Sequence, residues 1–349
     1  MANYDVEVLA ITNIQAHPNA DTLDIAYLGG WRSIVKHNSF SINDIVVYIH
    51  PDAVLNFEYP WVNNYAAYVS SRTHRVKTIK LRQVFSEGII VKIDYLKQYY
   101  SDFNFTVNTD PVELAKLLGI THFEIPDNID TSEVLSIDLP YNLSKTDQTN
   151  IQQLNVNDVL GRRYMITRKK DGSSCTITCD SNLNITISSR SFTYQLTATN
   201  QYVKAAKPII DALTEYVRAA KARALMPENC VLVLRGEICG EGIQQHSFNK
   251  DSTGIPKFYL FEAYILNTTT YEIVRRFTVD GIAFILGIDH VPILGEIASL
   301  TEEMINTYLN APATDGEGIV LWELENQKSL VVPTGYSFKI RSKEYDALM

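Results

Sequence analysis

The sequence predicts an α+β protein in two parts, a strand-rich N-terminal module followed by a larger domain of strands with one prominent helix. Three observations predict it. Over the first ~100 residues, short β-rich runs recur between Asn, Asp, Gly and Pro turns, the spacing of a small barrel or sandwich. At 200–225, one segment carries apolar residues at the helical period. The 349 residues suffice for two separate cores.

The N-terminal runs are "YDVEVLAITNI" (4–14), "LDIAYLGGWRSIVK" (23–36), "DIVVYIH" (44–50), "VKTIKLRQV" (76–84) and "GIIVKI" (88–93), rich in β-branched and aromatic residues. "DPVELAKLLGI" (110–120) reads as a short helix, with Asp110 as N-cap, Pro111 at the first helical position and Gly119 past the end. The stretch "PDNIDTSEVLSIDLPYN" (126–142), acidic at its start and holding two prolines, reads as the connection, dividing the chain at 1–125 and 126–349. Beyond it, "YMITRK", "CTITC", "NITISSR", "CVLVLRGEI", "KFYLFEAYIL", "EGIVLWEL" and "YSFKI" read as strands. In the intervening helix, Val203, Ala206, Ile210, Leu213, Val217 and Ala220 step by threes and fours onto one face, and Pro208 marks a kink or the true start.

Composition narrows the function classes. A net charge of -9 excludes nucleic-acid binding by overall charge and leaves only local patches, such as "SRTHRVKTIKLR" (71–82), with five Lys/Arg and no acid. Four cysteines without a CxxC pair make neither a disulfide framework nor a zinc site, so reduced thiols in a cytoplasmic or nuclear protein are expected. Cys175 and Cys179 fall on one strand face and read as packing. The N-terminus lacks a signal-peptide pattern, and no apolar run approaches the ~20 residues of a membrane span, so neither secretion nor a membrane is expected.

"RKKDGSS" (168–174) sets three cations at a strand end beside a Gly-containing turn. Alternation puts Lys169 on the face of Thr167, opposite Arg168. A solvated hairpin corner is one reading; a lysine nucleophile is the other. An attacking lysine must lose its proton, and nearby cations, a divalent metal or burial would depress its pKa. Alone, K-x-D-G arises by chance in roughly one chain of this length in ten. Its companions change that. "SSRSF" supplies Arg190, a phosphate clamp. "LRGEICGEGIQ" supplies Glu237, suited to ribose hydroxyls. "FYLFEAYI" supplies Phe261, a ring for a base, with Glu262 beside it. "DGEGIVL" supplies Glu317 between two glycines, and "SFKIR" aims Lys339 and Arg341 from one strand face. In this order they furnish what nucleotidyl transfer needs.

The ordered set K-x-D-G, S-R, G-E, F-E, E-G-I-V-L and F-K-x-R resembles the covalent lysyl-nucleotidyltransferases, the ATP-dependent ligases and capping enzymes. "KTDQTNIQQL" (145–154) is similar to the "KTDE-x-R-I-Q" stretch of RNA ligases of the Deinococcus and Naegleria type. "HPNADTLDIAYLGGW", "SINDIVVYIHPDAVL" and "RVKTIKLRQVFSEGIIV" resemble their N-terminal OB-like module. The resemblance implies an OB-like β-barrel at 1–125 and, at 126–349, an adenylyltransferase domain of antiparallel sheets with flanking helices.

It further implies an ATP-dependent RNA ligase that seals 3′-OH/5′-phosphate nicks in RNA or RNA-containing duplexes, as a monomer in RNA repair. Lys169 becomes lysyl-AMP. Arg190, Glu237, Phe261, Lys339 and Arg341 bind ATP, and Asp171, Glu262 and Glu317 hold Mg²⁺ or Mn²⁺. Three positions depart from the family pattern: Arg168 where glutamate is common, Asn150 where arginine is common and bears on sealing, and Arg341 where lysine is common. A capping-type guanylyltransferase or DNA ligase is an alternative; those commonly carry an OB domain after the last basic motif, where here "SKEYDALM" follows. A non-catalytic RNA-binding protein on the same scaffold is another.

Overall fold

The computed structural model describes residues 4–123, 130–324 and 333–349. The expected division at 125/126 falls outside them.

The N-terminal runs form strands, but the expected barrel is not there: the sheets do not close. One three-stranded antiparallel sheet joins Val6–Ala10, Ile45–Ile49 and Ile89–Lys92. A separate meander joins Asn13–Ala16, Leu23–Leu28 and Trp31–Lys36. The chain passes between the two at Ile11 and Thr12, whose amides bond to the carbonyls of Asp44 and Tyr27, so no continuous ladder connects them. Two further pairs, Ala53–Leu55 with Ile120–His122 and Ile79–Leu81 with Val84–Ser86, are three residues long and remain apart. Both faces of the first sheet are nonetheless covered. Along Ile45–Ile49, Val47 and Ile49 point into a core with Trp61, Leu96, Leu114 and Leu118, while Val46 and Tyr48 point into another with Ile11, Leu28 and Trp31. The helix Pro111–Leu118 is as expected: Asp110 Oδ1 accepts from Val112 N at 2.8 Å, and Gly119 takes the left-handed φ of 69° that closes the last turn.

The larger region has two sheets. Seven antiparallel strands run in the order Val134–Ser136, Thr193–Tyr194, Ile185–Ser188, Ser173–Asp180, Cys230–Cys239, Lys257–Asn267, Ile273–Arg276. The first of these lies within the stretch expected to be a connection. The second sheet orders Thr149–Asn150, Pro333–Arg341, Gly318–Leu324, Tyr164–Lys169 and Ile293–Ile297. It is mixed, because Thr149–Asn150 runs parallel to Phe338 and Lys339. The long helix breaks into Gln201–Ala206, a 3-10 turn at Lys207–Ile209 holding Pro208, and Ile210–Ala222. Its buried face (Val203, Ala206, Leu213, Val217, Ala220) packs on the seven-stranded sheet with Cys175, Cys179 and Cys230.

The two regions meet through buried polar contacts. Glu87, 2% exposed, accepts from Gln152 Nε2 at 2.9 Å and pairs with Lys343 at 3.0 Å. No helix among the described residues is long and apolar enough to cross a membrane.

Candidate active site

Strand register assembles the site. Lys169 ends its strand opposite Gly318, which is opposite Arg341; two steps back, Thr167 faces Val320, which faces Lys339. Three adjacent strands thereby bring Lys169, Glu317, Lys339 and Arg341 to one sheet end. The other sheet contributes Glu237, opposite Ser174 just past the turn that follows Lys169. That turn passes close to the seven-stranded sheet: a Cβ on Gly172 would lie 2.2 Å from the Ile238 carbonyl oxygen, which only glycine avoids. Between the sheets lies a cleft of about 280 Å³ whose walls include Lys169, Asp171, Arg190, Glu237, Phe261, Glu317, Lys339 and Arg341.

Opposite charges alternate across this cleft. Lys169 Nζ donates to Glu317 Oε2 at 2.7 Å. Burial alone would lower its pKa, but Glu317 and Glu237 outweigh burial, so the ammonium holds its proton more tightly than a free lysine. This reverses the expectation of an amine depressed by neighbouring cations. Arg168 lies on the opposite face by alternation, and Lys170 turns away: its Nζ pairs with Asp251 at 2.6 Å and lies 4.1 Å from the centre of the Tyr259 ring. The carboxyls crowd one another. Burial, then Glu317 and Asp171, push Glu237 up to about 8 against the pull of Lys169. Asp171 is pushed up to about 6 by burial and Glu317, although Tyr345 Oη donates to it. Lys339 makes no ion pair among the described residues, and burial beside Arg341 and Lys169 pulls it down to about 8.

Arg341 is held on three sides, by Asp346 at 2.7 Å, Asp52 at 3.0 Å and Glu317 at 3.4 Å. Arg190 pairs with Asp147 at 2.9 Å. Phe261 stacks on Trp322, with centroids 6.2 Å apart, and Trp322 Nε1 donates to Thr167 Oγ1 at 2.9 Å. Glu262 stands elsewhere. Its Oε1 accepts from Arg276 Nη1 at 2.6 Å, in an adjoining cleft of about 420 Å³ that also shows Arg235, Tyr264 and Tyr336. Asn150 is buried and caps the turn at Ile151–Gln153, its Oδ1 accepting from Gln152 N at 3.2 Å.

Several wall residues were not assigned to the site from sequence: Asp52 and Phe123 from the N-terminal region, Arg75 from within the basic stretch 71–82, and Trp322 behind Phe261. Asp147 lay within the upstream motif without being singled out. Among the described residues, no three Asp, Glu, His or Cys side chains are grouped closely enough to hold an ion by themselves.

Residues 162–340 match a family model described as RNA ligase, and residues 6–93 match one described as an OB-fold domain. No curated protein matches the sequence. The fold is similar to that of Naegleria gruberi RNA ligase in several mutant structures. An apo structure superposes with a TM-score of 0.77 at 24% identity, over 99% of this chain and 98% of that one. A structure with ATP and Mn gives 0.77 at 24% over 98% of both chains. One with AMP and Mn gives 0.76 at 22%, over 98% of this chain and 97% of that one.

Proposed function

Because the chain belongs to the RNA ligase family, we propose that it is an ATP-dependent ligase that joins 3′-hydroxyl and 5′-phosphate RNA ends through a lysyl-AMP intermediate. The observation that carries this reading is Lys169 Nζ at the end of its strand, facing a cleft that also holds Glu237, Glu317, Lys339 and Arg341.

In the first step the Lys169 ammonium gives up a proton, for which Glu317 Oε2 at 2.7 Å is the acceptor at hand. The amine lone pair then bonds to the α-phosphorus of ATP, the bond to the bridging oxygen breaks, and pyrophosphate leaves. Lys339 and Arg341 neutralise the α-phosphate, and holding the reactants in place supplies much of the acceleration. Phe261, backed by Trp322, offers a face for adenine. Glu237 keeps its carboxyl proton to about pH 8, so it can both donate to and accept from ribose hydroxyls. Arg190 reaches phosphate or sugar. AMP then passes to an RNA 5′-phosphate, and a 3′-hydroxyl displaces it.

The all-oxygen donors suit a hard divalent cation. The excess of carboxylates, visible in the raised pKa values of Asp171 and Glu237, fits one as well. Asp171 and Glu317 would hold Mg²⁺ or Mn²⁺, partly through water and phosphate oxygens. Glu262 would join them only by exchanging Arg276 for the ion. A cation held there would supply charge neutralisation and a field that would weaken the hold of Lys169 on its proton.

The test is mass spectrometry after incubation with ATP and either metal. One AMP adduct is expected, on Lys169, and Lys169→Ala should abolish it. GTP in place of ATP should give none. An adduct that persists in Lys169→Ala would move the nucleophile elsewhere. A deoxyribose at the 3′-hydroxyl end should slow sealing of a nick; equal rates on all-DNA nicks would remove the RNA assignment.

A further inference from the structure

We propose that Arg75, from the N-terminal region, is a phosphate-binding residue of the active-site cleft, oriented by Asp52. The inference rests on the functional reading above and extends it to a residue outside the matched ligase region.

The geometry is a carboxylate shared by two guanidiniums. Asp52 Oδ1 accepts from Arg75 Nε at 2.8 Å and also from Nη2, while Oδ2 accepts from Arg341 Nη1 at 3.0 Å. Asp52 thus joins Arg75 to the arginine assigned to the α-phosphate and leaves Arg75 Nη1 unengaged by that carboxylate. Asp52 and Arg75 both line the cleft with Lys169 and Arg341, and Arg75 is 8% exposed. Phe123 fixes the guanidinium, which lies 4.6 Å from the ring centre. Left-handed backbone occurs at Asp52, with φ 74°, and at His74, the residue before Arg75, with φ 55°.

Further donors and unpaired polar atoms stand near Arg75. Lys77 is close by and donates to the Met349 carbonyl at 2.8 Å. Gln244, another wall residue, also has a left-handed φ of 46°, and its Oε1 is buried without a partner, as is His246 Nε2. Burial lowers the pKa of His246, and Arg75 and Lys77 lower it further, which places all three together. A row from Lys169 through Lys339 and Arg341 to Arg75 provides cations for more than one phosphate. The group that fits is a phosphate beyond the α-position or a terminal phosphate: the ATP polyphosphate tail or the RNA 5′-phosphate.

The test compares full-length wild type with Arg75→Ala, and with Arg75→Gln should the alanine variant not fold. One arm measures KM and kcat for self-adenylylation with ATP. The other measures transfer from pre-formed enzyme–AMP to 5′-phosphorylated RNA. Loss of a charge-assisted contact predicts a ~10- to 100-fold effect. A rise in KM for ATP identifies the polyphosphate tail. A defect confined to transfer identifies the RNA terminus. Arg75→Lys should recover part of either loss, which a purely structural role would not predict. Both arms within about twofold of wild type in a folded neutral variant would overturn the inference while leaving the ligase reading intact. A wild-type enzyme that never gains AMP would overturn that reading instead.

Discussion

Lys339 is the cation of the cleft whose charge pH can remove. Burial beside Arg341 and Lys169 lowers it to about 8, so it is protonated at neutral pH and loses its proton just above. The dissociation constant of an ATP analogue with a non-cleavable α,β bond should therefore weaken by ~10-fold or more as pH rises from 7 to 9. Lys339→Arg, which keeps its charge, should flatten that rise; an equally steep rise in the variant would assign the titration elsewhere. Lys170→Ala should still form the AMP adduct, because Lys170 Nζ is spent on Asp251. Its loss should instead cost about 2 kcal/mol by removing the cation from the half-buried Asp251 carboxylate, read by chemical denaturation. That Lys169, Glu317 and Lys339 would share one cleft was legible because each stands in a short motif at a strand end. The charge state of Lys169 was not, because the sequence shows its cationic neighbours Arg168 and Lys170 while the decisive carboxylates arrive from elsewhere. Asp52 and Arg75 were not assigned to the site, since nothing local links them to Arg341.

Elements with a local code were the readable ones. Asp110, Pro111 and Gly119 set the ends of one helix from three residues, and Asp110→Ala should cost about 1 kcal/mol in a urea titration by exposing the first-turn amide of Val112. No loss of stability would mean that packing of Leu114 and Leu118 alone holds that helix. The long amphipathic run was equally plain, with Pro208 marking the 3-10 break inside it. Other elements were missed for physical reasons. Ile293–Ile297 is an edge strand with a central glycine and an exposed face, so it shows neither alternation nor an apolar run. Val134–Ser136 owes its strand to pairing with Thr193–Tyr194 rather than to its own acidic surroundings. The N-terminal strands were recognisable one by one, but closure is a property of how ladders join, and Ile11 and Thr12 divert theirs.

At the scale of the whole molecule, the buried carboxyls tie stability to pH. Glu237 titrates at about 8 in the folded protein against 4.5 when unperturbed, chiefly through burial. Between these values the folded chain binds the extra proton, so stability is fully present below about 4.5 and declines as pH rises toward about 8. The slope should be roughly 1 kcal/mol per pH unit in the metal-free protein, and Glu237→Gln should reduce it. A denaturation midpoint in the variant with the same pH dependence as wild type would show that another group dominates. The family was readable over residues 162–340, because the motifs stand in order along that stretch. The docking of the two regions was not readable: Glu87 meets Gln152 and Lys343 across 65 and 256 positions of sequence, by no pattern a single chain displays.

The pairing of Thr149–Asn150 with Phe338 and Lys339 has a consequence for biosynthesis. Lys169 leaves the ribosome about 170 residues before the strand that supplies Lys339 and Arg341, and among the described residues that late strand is the only sheet partner of Thr149–Asn150. A nascent chain therefore carries its reactive amine for many seconds without the residues that would aim a nucleotide at it. Competence arrives with the last strand, so fragments from interrupted translation should be inert toward ATP rather than partly active.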